Sequence, residues 1–203
     1  MGCGALGEDR VSGAAALTRL AGIGVDRAVA ALRDLVGIPV AFVPSMPEVV
    51  RRSEISAALG LVGATATVGV RQEFEGAFPG RALLIFPDTA SLVLVRLALG
   101  GAPALEDVAE LECEAMAEIG NIVLNALVGT IANRIGLSLP MSLPEIVGGA
   151  SRDILTEVPE RDGDHLIVAG IDCRIDGETS RVLLILDVGR FNALAAAAEE
   201  TSP

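Results

Sequence analysis

The sequence predicts an α+β fold in which helices pack on a largely antiparallel sheet. One observation is that the same order of elements, a helix followed by strands, occurs twice along the chain, about 100 residues apart. A second is that the most apolar strand segments are joined by short turns such as GAFPG at 76–80, and strands joined this way pair antiparallel. With 203 residues and 51% hydrophobic content, the chain can bury the core of one domain or of two closely packed halves.

The first copy, at about 12–100, is delimited by turn residues. Glycine commonly follows a helix C-terminus, so the first helix is expected to end near Gly37. Asp88 is a good N-cap and is expected to begin the last helix of this copy. The predicted elements are a helix at 12–36, a strand at 38–43, a short helix from Pro47 to about 59, strands at 63–75 and 80–86, and a helix at 88–99. We expect residues 1–10 to form a flexible tail.

The second copy, at about 105–200, follows a hinge, GGAPA at 100–104. Its charged, non-periodic segment 152–164 is expected to be a surface loop. Its predicted elements are a helix at 106–135, a strand at 137–142, a turn or helix from Pro144, strands at 165–176 and 181–187, and a helix to about 199.

Sequence similarity between the copies indicates an internal duplication. Two repeats are too few for a solenoid and predict a pseudo-twofold domain. The matching segments are RALLIF at 81–86 with RVLLIL at 181–186, MPEVV at 46–50 with LPEIV at 143–147, 20–40 with 119–139, and VGVRQEFEG at 68–76 with AGIDCRIDG at 169–177.

The second copy's long helix carries a polar row on an otherwise apolar surface. At about 100° per residue, its polar side chains fall within about 60° of one another. These residues are Glu114, Glu118, Asn121 and Asn125. Glu118 and Asn121 are i,i+3 neighbours, so their head groups can contact one object together.

Glu118-x-x-Asn121, with Pro144 after 22 intervening residues (122–143), resembles the signature of the CheC/CheX/FliY phosphatases of bacterial and archaeal chemotaxis. Four residues before Glu118 the signature normally has Asp or Ser, whereas this chain has Glu114. Together with the duplication, the resemblance covers nearly the whole chain and is closest to CheC. It implies one domain, 1–203, folded as a pseudo-twofold two-layer sandwich with the long motif helices on the outside.

The resemblance also implies an activity, hydrolysis of the aspartyl phosphate of a CheY-type response regulator. Asn121 would orient the attacking water and Glu118 would reach a lysine of the receiver, which makes these two the expected catalytic residues. Glu114 and Asn125 are expected to bind the partner, and Pro144 to shape the turn after the helix. No cofactor is expected in this chain, while the partner receiver is expected to hold Mg²⁺.

Other interpretations remain open at this stage. Glu114 and Glu118 could be an ordinary solvated face, and Asn125 could bond across to the other half. The first copy has Ala15, Arg19 and Gly22 at the positions that match Glu114, Glu118 and Asn121, so at most one competent site is expected. A non-catalytic adaptor that binds a receiver or the receptor deamidase CheD, or a flagellar switch component, is therefore the alternative function.

Composition excludes several other classes of function. A net charge of −12 with no Trp or Tyr argues against nucleic-acid binding. No uncharged apolar run is long enough to predict a membrane span, and no secretory signal is apparent at the N-terminus. Cys3, Cys113 and Cys173 are dispersed and the single His165 has no nearby cysteine, so no metal site is expected and a reducing cytoplasm fits best.

Overall fold

A computed structural model of the protein describes residues 5–36, 41–55, 66–87, 108–150, 165–175 and 178–201. Within these ranges it has three helices, α1 (Ala5–Val36), α2 (Val108–Arg134) and α3 (Phe191–Glu200). The strands are β1 (Ala41–Pro44), β2 (Glu48–Arg51), β3 (Ala66–Phe74), β4 (Gly80–Pro87), β5 (Glu145–Ala150), β6 (His165–Ile175) and β7 (Glu178–Val188). A single 3₁₀ turn, Arg52–Glu54, follows β2.

The seven strands form one antiparallel sheet, which confirms the predicted α+β class. Its central pair is β4 with β7, flanked by β3 and β6 respectively. Strands β1 and β2 pair with successive parts of β6, and β5 pairs with β3. The short strands of each repeat therefore pair with a long strand of the other repeat, which ties the two copies into one sheet.

The hydrogen bonds at the start of these short strands are the same in both copies. Ser45 N donates to Gly170 O at 2.7 Å, and Ser45 Oγ accepts from Gly170 N at 2.8 Å. In the second copy Ser142 N donates to Glu73 O at 2.8 Å, and Ser142 Oγ accepts from Glu73 N at 3.0 Å. Each serine thus joins its turn to the long strand of the opposite repeat through two hydrogen bonds.

The two arginines that match between the copies also occupy equivalent positions. Arg81 pairs with Glu73 at 2.8 Å, and Arg181 pairs with Asp172 at 2.6 Å, in each case across the hairpin of the same repeat. The hydrogen bond from the Arg181 guanidinium lowers the pKa of the Asp172 carboxyl below its ordinary value.

The middle segments of β4 and β7, 82–86 and 182–186, are apolar because both of their faces are buried. Alternate residues such as Leu84 and Leu184 contribute to the large core beneath α1, α2 and α3, while Leu83 and Leu183 contribute to a second core on the opposite face. A strand buried on both sides is expected to lose the polar–apolar alternation that marks a half-exposed strand.

Two glycines fix how α2 sits on the sheet. A Cβ at Gly120 would lie 2.2 Å from Val70 Cγ1, so glycine lets the helix backbone approach β3 closely at this point. Gly136, with φ of 68°, ends the helix: Leu137 N donates to Ala132 O at 2.9 Å in a Schellman-type arrangement. The polar row of α2 is therefore held at a fixed height above β3.

Several predicted elements differ from those observed. The segment after Pro47 is strand β2 where a helix was predicted, and Pro144 is likewise followed by strand β5. Both segments are rich in β-branched residues that find a strand partner in the opposite repeat, a long-range effect that overrides the local helix-start signal. The predicted strand at 137–142 is limited to one bridge, Met141 with Phe74, and α1 begins at Ala5 rather than near residue 12. The helix predicted at 88–99, the hinge at 100–104 and the loop at 152–164 lie outside the described residues.

One described helix segment, Glu112–Arg134 of α2, is long and apolar enough to cross a membrane by length and composition alone. In this fold it packs against α1 and against the sheet, and 56% of its most apolar window is buried. The core packing accounts for its composition.

Candidate functional site

The polar row predicted on α2 lies on its outward face. Glu114, Glu118 and Asn125 are exposed, and Asn121 is half-buried. The opposite face carries large apolar side chains that are all buried in the core, namely Met116, Ile119, Val123 and Leu127. The helix therefore presents its acids and amides away from the core side, as its 3.6-residue period predicts.

The side-chain amide of Asn121 is held from two sides. Its Oδ1 accepts from Gln72 Nε2 at 3.1 Å and from Asn125 Nδ2 at 2.8 Å. Asn125 Nδ2 also donates to the backbone carbonyl of Asn121 at 2.6 Å. Asn125 thus bonds within its own helix, and the alternative that it bonds across to the other half is wrong.

Gln72, on β3, lies beneath Asn121 and is only 1% exposed. Its Nε2 donates to Ser142 O at 2.8 Å as well as to Asn121 Oδ1, so both of its N–H groups are used. Its Oε1 is buried and has no hydrogen-bond partner among the residues that the structure describes. One buried amide therefore joins α2, β3 and the turn that contains Ser142.

Pro144 lies in that same turn, immediately before β5, and is half-buried. Two residues earlier, Ser142 Oγ caps the β3 backbone and Ser142 O receives the Gln72 bond. Between them Leu143 is 87% exposed, which makes it the most exposed large apolar side chain of the described residues. Pro144 thus belongs to the turn whose Ser142 O shares the Gln72 amide with Asn121, and this turn also presents an apolar side chain to the outside.

The two glutamates of the row have open surroundings. In the described part of the chain, no side chain forms an ion pair or hydrogen bond with Glu114 or Glu118. An exposed carboxylate without a partner on its own surface is available to a cation on another molecule.

The first copy has the same backbone arrangement without the same groups. Ala15 and Arg19 are exposed on α1, and Gly22 is half-buried. A Cβ at Gly22 would meet Pro47 Cδ at 3.8 Å, so the helix and the proline-containing turn also lie side by side in this copy. The strand residues of β6 that face this helix layer are apolar and buried, namely Ile167, Ala169, Ile171 and Cys173. The scaffold of the site is therefore repeated, but its amides are not.

Among the described ranges, no group of three or more His, Cys, Asp or Glu side chains could hold a metal ion. Cys113 is exposed and Cys173 is buried, and both are free thiols. Burial raises the pKa of the Cys173 thiol to about 12.

Gln72 and Ser142 are the members of this site that the sequence analysis missed. Their contact joins residues 70 positions apart, and the contact of Gln72 with Asn121 joins residues 49 apart. The available signal was local: Gln72 stands between Val70 and Phe74, which are on the core-facing side of β3, where a polar residue is unexpected.

No protein-family model matches the chain, and the search of curated proteins gives no match. Solved structures share its fold. FliY of Thermotoga maritima has a TM-score of 0.71 and 15% identity, with 94% of this chain and 97% of FliY covered. CheX in the CheX–CheY–BeF₃–Mg²⁺ complex of Borrelia burgdorferi has a TM-score of 0.59 and 16% identity, covering 83% and 97%. The FliM middle domain of H. pylori has a TM-score of 0.58 and 10% identity, covering 95% and 98%.

These likenesses confirm, at the level of the fold, the resemblance to CheC, CheX and FliY proteins and the α+β class. The identities are too low to carry residue roles from one protein to another. CheC as the nearest relative remains a prediction.

Proposed function

We propose that this protein is a cytoplasmic chemotaxis phosphatase that hydrolyses the aspartyl phosphate of a CheY-type receiver domain. The observation that carries the proposal is the Asn121 amide, held by Gln72 and Asn125 beside the unpaired carboxylate of Glu118. A CheX protein of the same fold binds CheY in the Borrelia complex, which supports a receiver as the partner. The receptor deamidase CheD is the second proposed partner.

The chemistry that remains for this chain is positioning. An acyl phosphate is already activated, and the receiver would supply the Mg²⁺ and the lysine that neutralise charge on the phosphoryl group. Water attacks phosphorus, the P–O bond to the receiver's aspartate breaks, and the carboxylate leaves with the electron pair of that bond. The phosphate takes the water oxygen with both of its protons and departs as H₂PO₄⁻. Holding a water in line with that bond is sufficient for a large rate gain.

Asn121 Oδ1 is suited to hold that water because an amide oxygen accepts a hydrogen bond from it. The lone pair of the water oxygen is then free to point at phosphorus. The oxygen has two acceptor positions, and both are filled in the free protein by Gln72 and Asn125. The Asn125 bond is exposed, so exchanging it for a bond to water costs little. We infer that the attacking water takes the place of Asn125 Nδ2 when the receiver docks.

Glu118 would set the register of the complex. It precedes Asn121 by three residues on the same face, so a lysine beside the phosphoryl group can contact Glu118 while Asn121 addresses the water. Glu114, one turn earlier, and the exposed Leu143 would extend the docking surface on either side. Glu114, Glu118 and Leu143 are exposed, and Asn121 is half-buried.

The test is the decay of a phosphorylated CheY-type receiver with substoichiometric protein. The wild-type protein should accelerate decay with multiple turnovers, and Asn121→Ala should lower kcat on the order of 10²-fold because water positioning is lost. Asn133→Ala is the matched control, since Asn133 is an exposed asparagine of the same helix, outside the polar row. Equal activity of wild type and Asn121→Ala would show that Asn121 does not position the water.

A second candidate function is a flagellar switch component or non-catalytic adaptor. Two observations favour it: the FliM middle domain has this fold, and the first copy lacks both the acid and the amide. In that case the protein would bind a receiver with no multiple turnover, and Glu118→Ala would weaken binding with no kinetic phenotype. The same decay assay separates the two functions.

A further inference from the structure

The side chain of Gln72 occupies a position where the fold itself favours an apolar residue. Its neighbours on the same face of β3, Val70 and Phe74, are fully buried in the core under α2. The Gln72 Oε1 is buried and has no hydrogen-bond partner in the described part of the chain, and an orphaned buried acceptor is unfavourable. A leucine or methionine would fill this space without that cost, so what the glutamine gains is the pair of hydrogen bonds from its Nε2 to Asn121 Oδ1 and Ser142 O.

The duplication provides an internal comparison. Beneath α1, the strand residues of β6 are apolar, and α1 has Gly22 where α2 has Asn121. The buried amide, which the first copy supplies from β3, is therefore present beneath the helix that has the asparagine and absent beneath the helix that lacks it. This distribution associates Gln72 with the site rather than with the shared scaffold.

The geometry shows what Gln72 does to Asn121. The terminal torsion of asparagine is broad and roughly two-fold, so an unrestrained amide can exchange its oxygen and nitrogen positions. Gln72 Nε2 is a donor whose other N–H is bonded to Ser142 O. It therefore favours the orientation of the Asn121 amide in which Oδ1, and not Nδ2, faces Gln72 on β3. Asn125 cannot set this orientation as firmly, because it is exposed and belongs to the same helix.

We propose that Gln72 is a positioning residue that fixes the orientation of the Asn121 amide, so that the second acceptor position of Oδ1 is presented to the attacking water. This inference rests on the proposed phosphatase function for its kinetic part. Its structural part, the orientation of Asn121, is testable without any activity.

The kinetic test uses Gln72→Leu and Gln72→Met, which remove the donor and retain most of the volume. Each should lower kcat about 10-fold, a change of about 1.4 kcal/mol, with KM unchanged, because the docking surface is untouched. In the Asn121→Ala background, Gln72→Leu should cause no further loss, since a residue that acts only through Asn121 has nothing left to position. A further loss of similar size in that background would show a general structural role and overturn the proposal.

The second readout is the Asn121 side-chain NH₂ pair in ¹⁵N–¹H NMR spectra, assigned with Asn121→Ala. In the wild-type protein this pair should be distinct and well dispersed, and in Gln72→Leu it should move toward the shifts of a freely exposed amide. Urea unfolding should show that Gln72→Leu is at least as stable as wild type, because the orphaned Oε1 is removed. An unchanged Asn121 NH₂ pair in Gln72→Leu overturns the proposal whether or not the protein turns over a receiver, whereas absence of wild-type turnover refutes the phosphatase function alone.

Discussion

Removing Asn125 should make the protein a faster phosphatase. In the free protein Asn125 Nδ2 fills one of the two acceptor positions of Asn121 Oδ1, at 2.8 Å, while Gln72 fills the other. If water must displace Asn125 before attack, the lost hydrogen bond raises the barrier. Asn125→Ala removes this competitor and leaves the Gln72 bond in place.

The size of the effect follows from the energy of one neutral hydrogen bond. Such a bond contributes about 0.5–1.5 kcal/mol net, which corresponds to about 2- to 10-fold in rate. Since Asn125 is exposed and water competes for its bond, we expect the lower part of this range. The substitution should also raise helix stability by several tenths of a kcal/mol, because alanine is the better helix former.

The assay is single-turnover decay of a phosphorylated receiver at saturating protein, which removes differences in docking affinity. Asn133→Ala is the control, since it gains the same helix propensity without touching Asn121. A slower rate for Asn125→Ala would refute the displacement model and show that Asn125 supports the orientation of Asn121. In a separate multiple-turnover series, a raised KM at constant kcat would instead show that Asn125 contacts the receiver, as the sequence analysis expected.

Three further predictions concern charge, stoichiometry and accessibility. Glu118→Ala should weaken receiver binding, and Glu118→Lys should weaken it more through like-charge repulsion. The affinity of the wild-type protein for the receiver should fall as salt rises. Normal binding by both variants in calorimetry would exclude the ion pair. Arg19→Ala should leave turnover unchanged, and a beryllofluoride-activated receiver should saturate the protein near one to one, whereas a two-to-one complex would show that the first copy is also a docking site. Under native conditions Cys113 should react with a thiol reagent at neutral pH, whereas Cys173, buried and with its pKa raised to about 12, should react only after unfolding; rapid labelling of Cys173 in the folded protein would contradict its placement.

Helix α2 and its polar row could be predicted from the sequence because helical periodicity is a local property. Glu118 and Asn121 share a face whatever the rest of the chain does. Strands β2 and β5 were wrongly predicted as helix or turn, because Pro47 and Pro144 each precede a glutamate and resemble helix starts. What decides those segments is a pairing partner more than 70 residues away, β6 for one and β3 for the other.

The contact between Gln72 and Asn121 could not be predicted for the same reason. One sequence shows that a glutamine interrupts an apolar face of a strand, but not which helix lies above it. The close approach that permits the contact depends on Gly120, whose lack of a side chain lets α2 descend onto Val70. The site thus depends on Gly120, Gln72 and Asn121, which come together only in the folded chain.

The two repeats indicate how such a site can be gained or lost without changing the fold. Both copies keep the serine that bonds the turn to the opposite long strand, and both have a proline two residues after that serine. These features belong to the scaffold, because they occur with and without the amides. The groups that differ are Asn121 and Gln72, one of which is a poor helix former and the other a buried polar group with an orphaned oxygen. Both are unfavourable for stability, so their mutual contact, with Asn121 supplied by the second repeat and Gln72 by the first, is best explained by what they do to a bound partner.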